Sequence, residues 1–270
     1  MIAPSEILLA SDLSPRTDRA THRALQLAQQ WHAKLAILHV SGKDEPAGSP
    51  LAEGAWREEL PSAADDAELL IRRGSLPDVL AKVAAERGSG LIVTGVARYN
   101  DVRDYVVGTA VDYIVRRAAV PVLVVRRRAD RPYRAVVVGT DFSDGSRKAL
   151  LNAAEFFPQA SLLLVHAYAG PGPRTDFQGK GDFLRAQAEA EMAAFLEAAK
   201  LSPAVAARLQ SRVEEGNAAA AIERCRAAVG AELVVAGRYG QGGLAEAVIG
   251  SSAEAILGTV RADILIAPSA

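Results

Sequence analysis

Gly237-Arg238-Tyr239-Gly240, then nine residues, then Gly250-Ser251-Ser252 make a frame with the parts of a phosphate cradle. Gly237 and Gly240 permit turns with positive φ and let the backbone come close to a ligand. Gly250-Ser251-Ser252 would open a helix, whose unpaired backbone N–H groups favour an anion. The two serine hydroxyls can donate further hydrogen bonds to phosphate oxygens. The same spacing occurs earlier in the chain, as Gly95-Val96-Ala97-Arg98, nine residues, and Gly108-Thr109. Arg98 there stands where the later copy has Gly240. The sequence therefore predicts one intact anion site and one altered site, closed or degenerate because a side chain would fill the space of the loop, with phosphate binding by the Arg98 guanidinium as the less favoured reading.

Such a cradle needs a strand before it and a helix after it. Leu233-Val234-Val235-Ala236 precedes the intact frame and Leu91-Ile92-Val93-Thr94 precedes the altered one. Each half of the chain opens on another apolar run, Ile7-Leu8-Leu9-Ala10 and Ala135-Val136-Val137-Val138, and each run ends in Asp-x-Ser. Runs apolar on both faces read as buried parallel strands. Helical patterns follow, with Ser14 and Ser143 as N-caps and Pro15 at a first helical position. Ala20, Ala24, Leu27, Ala28 and Trp31 share one face; Leu150, Ala153 and Phe157 share another. Second strands are Leu35–Val40 and Leu162–Ala167, third strands end at Gly74 and Gly216, and last strands are Val122–Val125 and Ile264–Ala267.

Five strand–helix alternations per half predict an α/β fold of two tandem Rossmann-like domains, each a five-stranded parallel sheet with helices on both faces. The expected domains are residues 1–130 and 131–270, joined through the arginine-rich stretch Arg126–Arg134, read as a solvated linker. The second half is longer between its second and third strands, where an Ala/Glu-rich helix, Phe183–Lys200, follows a Gly/Pro-rich loop, Gly170–Gly181. That loop is a surface connection, with a lid as the less favoured reading.

In a doubly wound sheet, ligands sit at the carboxyl ends of strands where the winding reverses. Thr140-Asp141 would then face the glycine frame, and Asp141 can accept hydrogen bonds from a ribose or an adenine amine. A cap or turn role for Asp141 is equally in keeping with its position.

The chain has 270 residues, half of them hydrophobic, enough for two cores. Its formal net charge of -1 argues against a dedicated nucleic-acid binder. Cys225 is the single cysteine, so no intramolecular disulfide forms and a reducing cytosol fits. Met1–Glu6 lacks a basic segment followed by an apolar one, and no apolar run approaches the roughly 20 residues a bilayer needs. A soluble, cytoplasmic protein with no membrane contact is expected. The Walker pattern Gly-x4-Gly-Lys-Ser/Thr is absent, as are Gly-x-Gly-x-x-Gly after a first strand and Gly-x-Ser-x-Gly. Among His22, His32, His39 and His166 no close His/Cys pair suggests zinc. His39 and His166 read as packing residues and Cys225 as a buried thiol. Trp31 is expected in a core, while Trp56 lies in a polar segment.

Taken together, the frame Gly-x2-Gly-x9-Gly-Ser, the turn Thr140-Asp141-Phe142-Ser143 and the Val165-His166 strand end resemble the universal stress protein family in its tandem two-domain form. The resemblance spans both halves. It implies the adenine nucleotide alpha hydrolase-like version of the fold, and a stress-response protein binding ATP, or AMP or ADP, mainly in the second domain. Gly237, Arg238 (through its backbone), Gly240, Gly250, Ser251 and Ser252 would hold ribose and phosphates. Thr140 and Asp141 would hold the adenosine, with Ala167 beside the adenine. Mg2+ or Mn2+ would ride on the phosphates without dedicated protein ligands. The resemblance also allows an unidentified protein partner and a homodimer. A weak ATPase or phosphotransfer enzyme, and a scaffold with vestigial sites, are the alternatives; no residue stands out as catalytic.

Overall fold

Val136, Val137 and Val138 carry no polar group and are almost wholly removed from water in the computed structural model. A strand buried on both faces needs partners on both edges, and Ala135–Thr140 has them. The structure describes residues 3–12, 18–41, 60–61, 64–96, 109–170, 180–239 and 249–268. The chain divides into two compact units, Met1–Pro132 and Tyr133–Ala270.

In the first unit the order along the chain is β1 (Glu6–Ala10), α1 (Asp18–Trp31), β2 (Lys34–Ser41), β3 (Glu68–Arg73), α2 (Leu76–Arg87), β4 (Leu91–Gly95), α3 (Thr109–Arg117) and β5 (Val122–Val125). The strands are parallel and lie in the order β3-β2-β1-β4-β5. The winding reverses between β1 and β4, so α1 covers one face and α2 packs with α3 on the other. Ile7, Leu8, Leu9, Ile37, Leu38 and Ile92 fill the core. Glu6 joins the ends of this unit: its carboxylate accepts from Arg87 Nε at 2.8 Å and from Ser89 Oγ at 2.7 Å, and Arg87 also reaches Glu68 at 2.7 Å.

The second unit repeats the plan with β6 (Ala135–Thr140), α4 (Asp144–Phe156), β7 (Ser161–Tyr168), α5 (Lys180–Ala199), α6 (Pro203–Ala206), β8 (Leu209–Glu215), α7 (Ala218–Val229), β9 (Leu233–Gly237), α8 (Ser251–Thr259) and β10 (Asp263–Ala267). Its strand order is β8-β7-β6-β9-β10, all parallel. The helix α4 lies over β6, β9 and β10, α5 over β7 and β8, and α7 packs with α8. The switch point falls between β6 and β9.

Both third strands end at a glycine, as the sequence leads one to expect, and both glycines have positive φ: Gly74 (φ 138) and Gly216 (φ 114). Ser143 caps α4, accepting from Ser146 N–H at 3.2 Å. Trp31 departs from expectation: it is only half-buried, because α1 ends there and the chain turns through His32 (φ 52) into β2. Val229, at the last position of α7, is 40% exposed for the same reason, since Gly230 turns the chain away from the core. Ser14, Pro15, Trp56 and the loop 171–179 lie outside the described residues.

Candidate functional site

The carboxyl end of β6 is built by short-range hydrogen bonds. Thr140 Oγ1 accepts from Phe142 N–H at 3.0 Å and is hydrogen-bonded to Ser146 Oγ at 2.9 Å. Asp141 Oδ1 accepts from Ser143 N–H at 3.2 Å and from Ser143 Oγ at 2.5 Å. This turn forces Phe142 to φ 66, a conformation unusual for an aromatic residue. The Phe142 ring stacks on His166 of β7, with centroids 4.1 Å apart and planes at 26°. His166 Nδ1 donates to Thr140 O at 2.9 Å. His39 repeats that bond in the first unit, to Ser11 O at 3.1 Å.

Across the switch point, β9 ends at Gly237. Arg238 N–H donates to Ala267 O at 2.9 Å and Arg238 O accepts from Gly250 N–H at 3.0 Å. The Arg238 backbone thereby ties the end of β10 to the start of α8, with its donor engaged inside the protein. Its guanidinium lies 5.1 Å from the centre of the Tyr239 ring. Gly250 is the N-cap of α8, at φ -62 and ψ 143, and no side chain caps that helix. The first intrahelical bond runs from Glu254 N–H to Gly250 O. The amides of Ser251, Ser252 and Ala253 are therefore left without an acceptor among the described residues.

These pieces enclose one cavity of about 620 Å³. Its wall contains Thr140, Asp141, Ala167, Gly237, Arg238, Gly250, Ser251 and Ser252, drawn from the ends of β6, β7 and β9 and the start of α8. Gly240 lies outside the described residues, as do Arg98 and Gly108 of the altered frame. Phe142, His166, Tyr239 and Glu191 also line the cavity. His166 reads as packing from sequence, and the structure adds a cavity wall to that role. Glu191 carries no sequence signal at all, since the Ala/Glu-rich helix offers several equivalent glutamates.

The reason for one glycine differs from expectation. Neither Gly237 nor Gly250 has a positive φ. A Cβ on Gly237 would lie 2.8 Å from Gly145 C and 3.1 Å from Ser146 N, so close packing against the first turn of α4 requires the glycine.

Charge is unevenly spread around the wall. Asp141 and Glu191 lie on the side of β6, β7 and α5, while Arg238 and the open end of α8 lie on the other. Among the described residues no group of three or more His, Cys, Asp or Glu stands together to hold a metal ion. No helix among them is long and apolar enough to cross a membrane.

The sequence matches the profile of the Universal stress protein family twice, over residues 5–126 and 132–268. A Staphylococcus aureus (strain USA300) protein provisionally named a universal stress protein is 29% identical over 143 residues, 47% of this chain and 86% of that one. A protein of unknown function from Pseudomonas aeruginosa PAO1 has a similar solved structure, with a TM-score of 0.71 at 21% identity, over 98% of this chain and 93% of that one. A universal stress protein from Archaeoglobus fulgidus DSM 4304 gives a TM-score of 0.67 at 17% identity, over 97% and 96% of the two chains. These two likenesses speak to the shared fold. Matched in two copies that together span nearly its whole length, the chain belongs to the universal stress protein family as a tandem two-domain member.

Proposed function

We propose that the second unit binds an adenine nucleotide, ATP or its AMP and ADP relatives, in the cavity at the β6/β9 switch point, and that the protein acts as a stress-response regulator through that occupancy. The observation that carries this reading is the uncapped start of α8. Three backbone amides without acceptors among the described residues, at the positive end of a helix dipole, open onto a cavity of nucleotide size. Phosphates would rest on the amides of Ser251, Ser252 and Ala253, with the two serine hydroxyls as added donors. Asp141 offers a carboxylate to ribose hydroxyls, Thr140 shapes the floor, and Ala167 leaves room for a flat base against β7. Gly237 and the Arg238 backbone hold α8 in register. Arg238 contributes charge, and the sequence frame assigns Gly240 to the same cradle. A Mg2+ or Mn2+ ion would be carried by the phosphates. Occupancy would be read by a protein partner, and a homodimer is one form that partner could take.

Native mass spectrometry of the full chain with ATP tests the reading. One nucleotide per chain is the expected result. A chain that takes up no adenine nucleotide at saturation would overturn it.

A further inference from the structure

We infer that residues 126–131, clamped onto α1, form a basic surface that docks an acidic segment of a partner protein, one rich in Asp and Glu. This stands apart from the nucleotide reading, because no residue of the stretch lines the cavity.

From sequence the arginine-rich stretch reads as a solvated linker; in the structure its first six residues are tied down. β5 packs against α1, and after Val125 the chain runs on as Arg126-Arg127-Arg128-Ala129-Asp130-Arg131. Arg19 Nη1 donates to Arg126 O at 2.9 Å, and Arg23 Nη1 donates to Arg131 O at 3.0 Å. The two carbonyls are the two ends of the stretch, and the two donors are neighbours one turn apart on α1. Arg23 is 2% exposed, and the same nitrogen also donates to Gln26 Oε1. A buried guanidinium held in this way is a fixed anchor. Arg126 is buried as well, whereas Arg19, Arg127, Arg128 and Arg131 are exposed.

The clamp thus uses arginines to hold arginines. Glutamine could donate to the same carbonyls without adding charge. α1 and the stretch together carry six arginines against two carboxylates, Asp18 and Asp130, in a chain whose formal net charge is -1. Like charges gathered in one place repel, and an arriving anion relieves that repulsion. Because the backbone is already held at both ends, docking costs little ordering. The guanidinium fork matches a carboxylate through two parallel bonds. Phosphate fits the same fork, but a single nucleic-acid strand also needs aromatic side chains on which its bases stack. The large hydrophobic side chains exposed among the described residues are Tyr113, Phe183 and Val229, none of them on α1 or in the stretch. A surface with charge and no stacking platform suits a run of carboxylates.

Fluorescence anisotropy of the full chain with a short labelled polyglutamate peptide tests this, with a single-stranded RNA of equal charge as the second probe. The peptide should bind at about 0.01 M salt and weaken about tenfold or more by about 0.15 M, as screening shortens the reach of the charges. Arg127→Gln combined with Arg128→Gln leaves both clamping bonds in place and should weaken peptide binding about tenfold. Arg224→Gln, which removes an exposed arginine of α7, should leave it unchanged. Without peptide, the double variant should melt at or above the wild-type temperature at low salt, because repulsion has been removed. No peptide binding at low salt overturns the inference. So do equal binding by the double variant, tighter binding of the RNA than of the peptide, and a double variant that melts well below wild type.

Discussion

The α-carbon of Gly237 stands so near the first turn of α4 that a Cβ on it would lie 2.8 Å from the carbonyl carbon of Gly145. For the equivalent Gly95 of the first unit, the nearest atom to such a Cβ among the described residues is Ala20 Cβ at 3.9 Å, and Arg16 and Thr17, which correspond to Gly145 and Ser146, lie outside the described residues. Gly237→Ala should cost about 1–3 kcal/mol, the usual penalty of overpacking. Urea unfolding of the variant checks this, and a midpoint equal to that of wild type would contradict it.

Gly250 permits stability and binding to be separated. Its backbone is already in the extended region that N-cap residues adopt. Gly250→Asp should cap α8 and leave the melting temperature equal or slightly higher, while its carboxylate repels phosphate from the same amides. A fall of about tenfold or more in ATP affinity is expected. Unchanged affinity in this variant would mean that the phosphates do not sit on α8.

Two carboxylates set the acid limb of stability. Burial alone would raise the Glu6 carboxyl, but hydrogen bonds from Arg87 and Ser89 and the Arg87 charge outweigh it and hold it below its ordinary 4.5. Glu223 is likewise pushed up by burial and brought below 4.5 by Arg226 and by the Arg261 backbone N–H. A carboxyl that binds its proton less readily when folded contributes stability that is complete above its unfolded value and lost as pH falls through the folded one. The chain should therefore lose stability below about pH 4.5. Glu6→Gln and Glu223→Gln should each weaken it at neutral pH and flatten its acid dependence. Circular dichroism across an acid titration would show this, and an acid limb as steep as wild type in both variants would contradict it.

Cys225 is 1% exposed, and burial raises its thiol above the ordinary value. A buried thiol held in its protonated form is a poor nucleophile. It should resist a thiol reagent in the native chain and react only on unfolding. Rapid labelling of the folded chain would contradict the packing of α7 against the sheet.

Much of this architecture was legible because it rests on local patterns. Val136, Val137 and Val138 announce a strand buried on both faces, and Ser143 before Asp144 announces a helix start. The paired spacing from Gly95 and Gly237 exposes the repeat. That Asp141 and Ser251 line one cavity was legible only through a rule about where winding reverses, and β6 does pair with β9. What escaped the sequence depends on contacts between distant segments. Nothing near Gly237 tells that Gly145 will press against it. The left-handed backbone of Phe142 follows from Asp141 and Thr140 both turning their oxygens to the chain ahead of them. Glu191 reaches the cavity because α5 lies over β7, and no local signal separates it from Glu189 or Glu197.

A crystal structure of the full chain grown with saturating ATP tests the central claim most directly. The account predicts density for one nucleotide in the second unit, its phosphates within hydrogen-bond distance of the Ser251, Ser252 and Ala253 amides and its base against β7. An empty cavity under those conditions, or a nucleotide bound away from the start of α8, would contradict it.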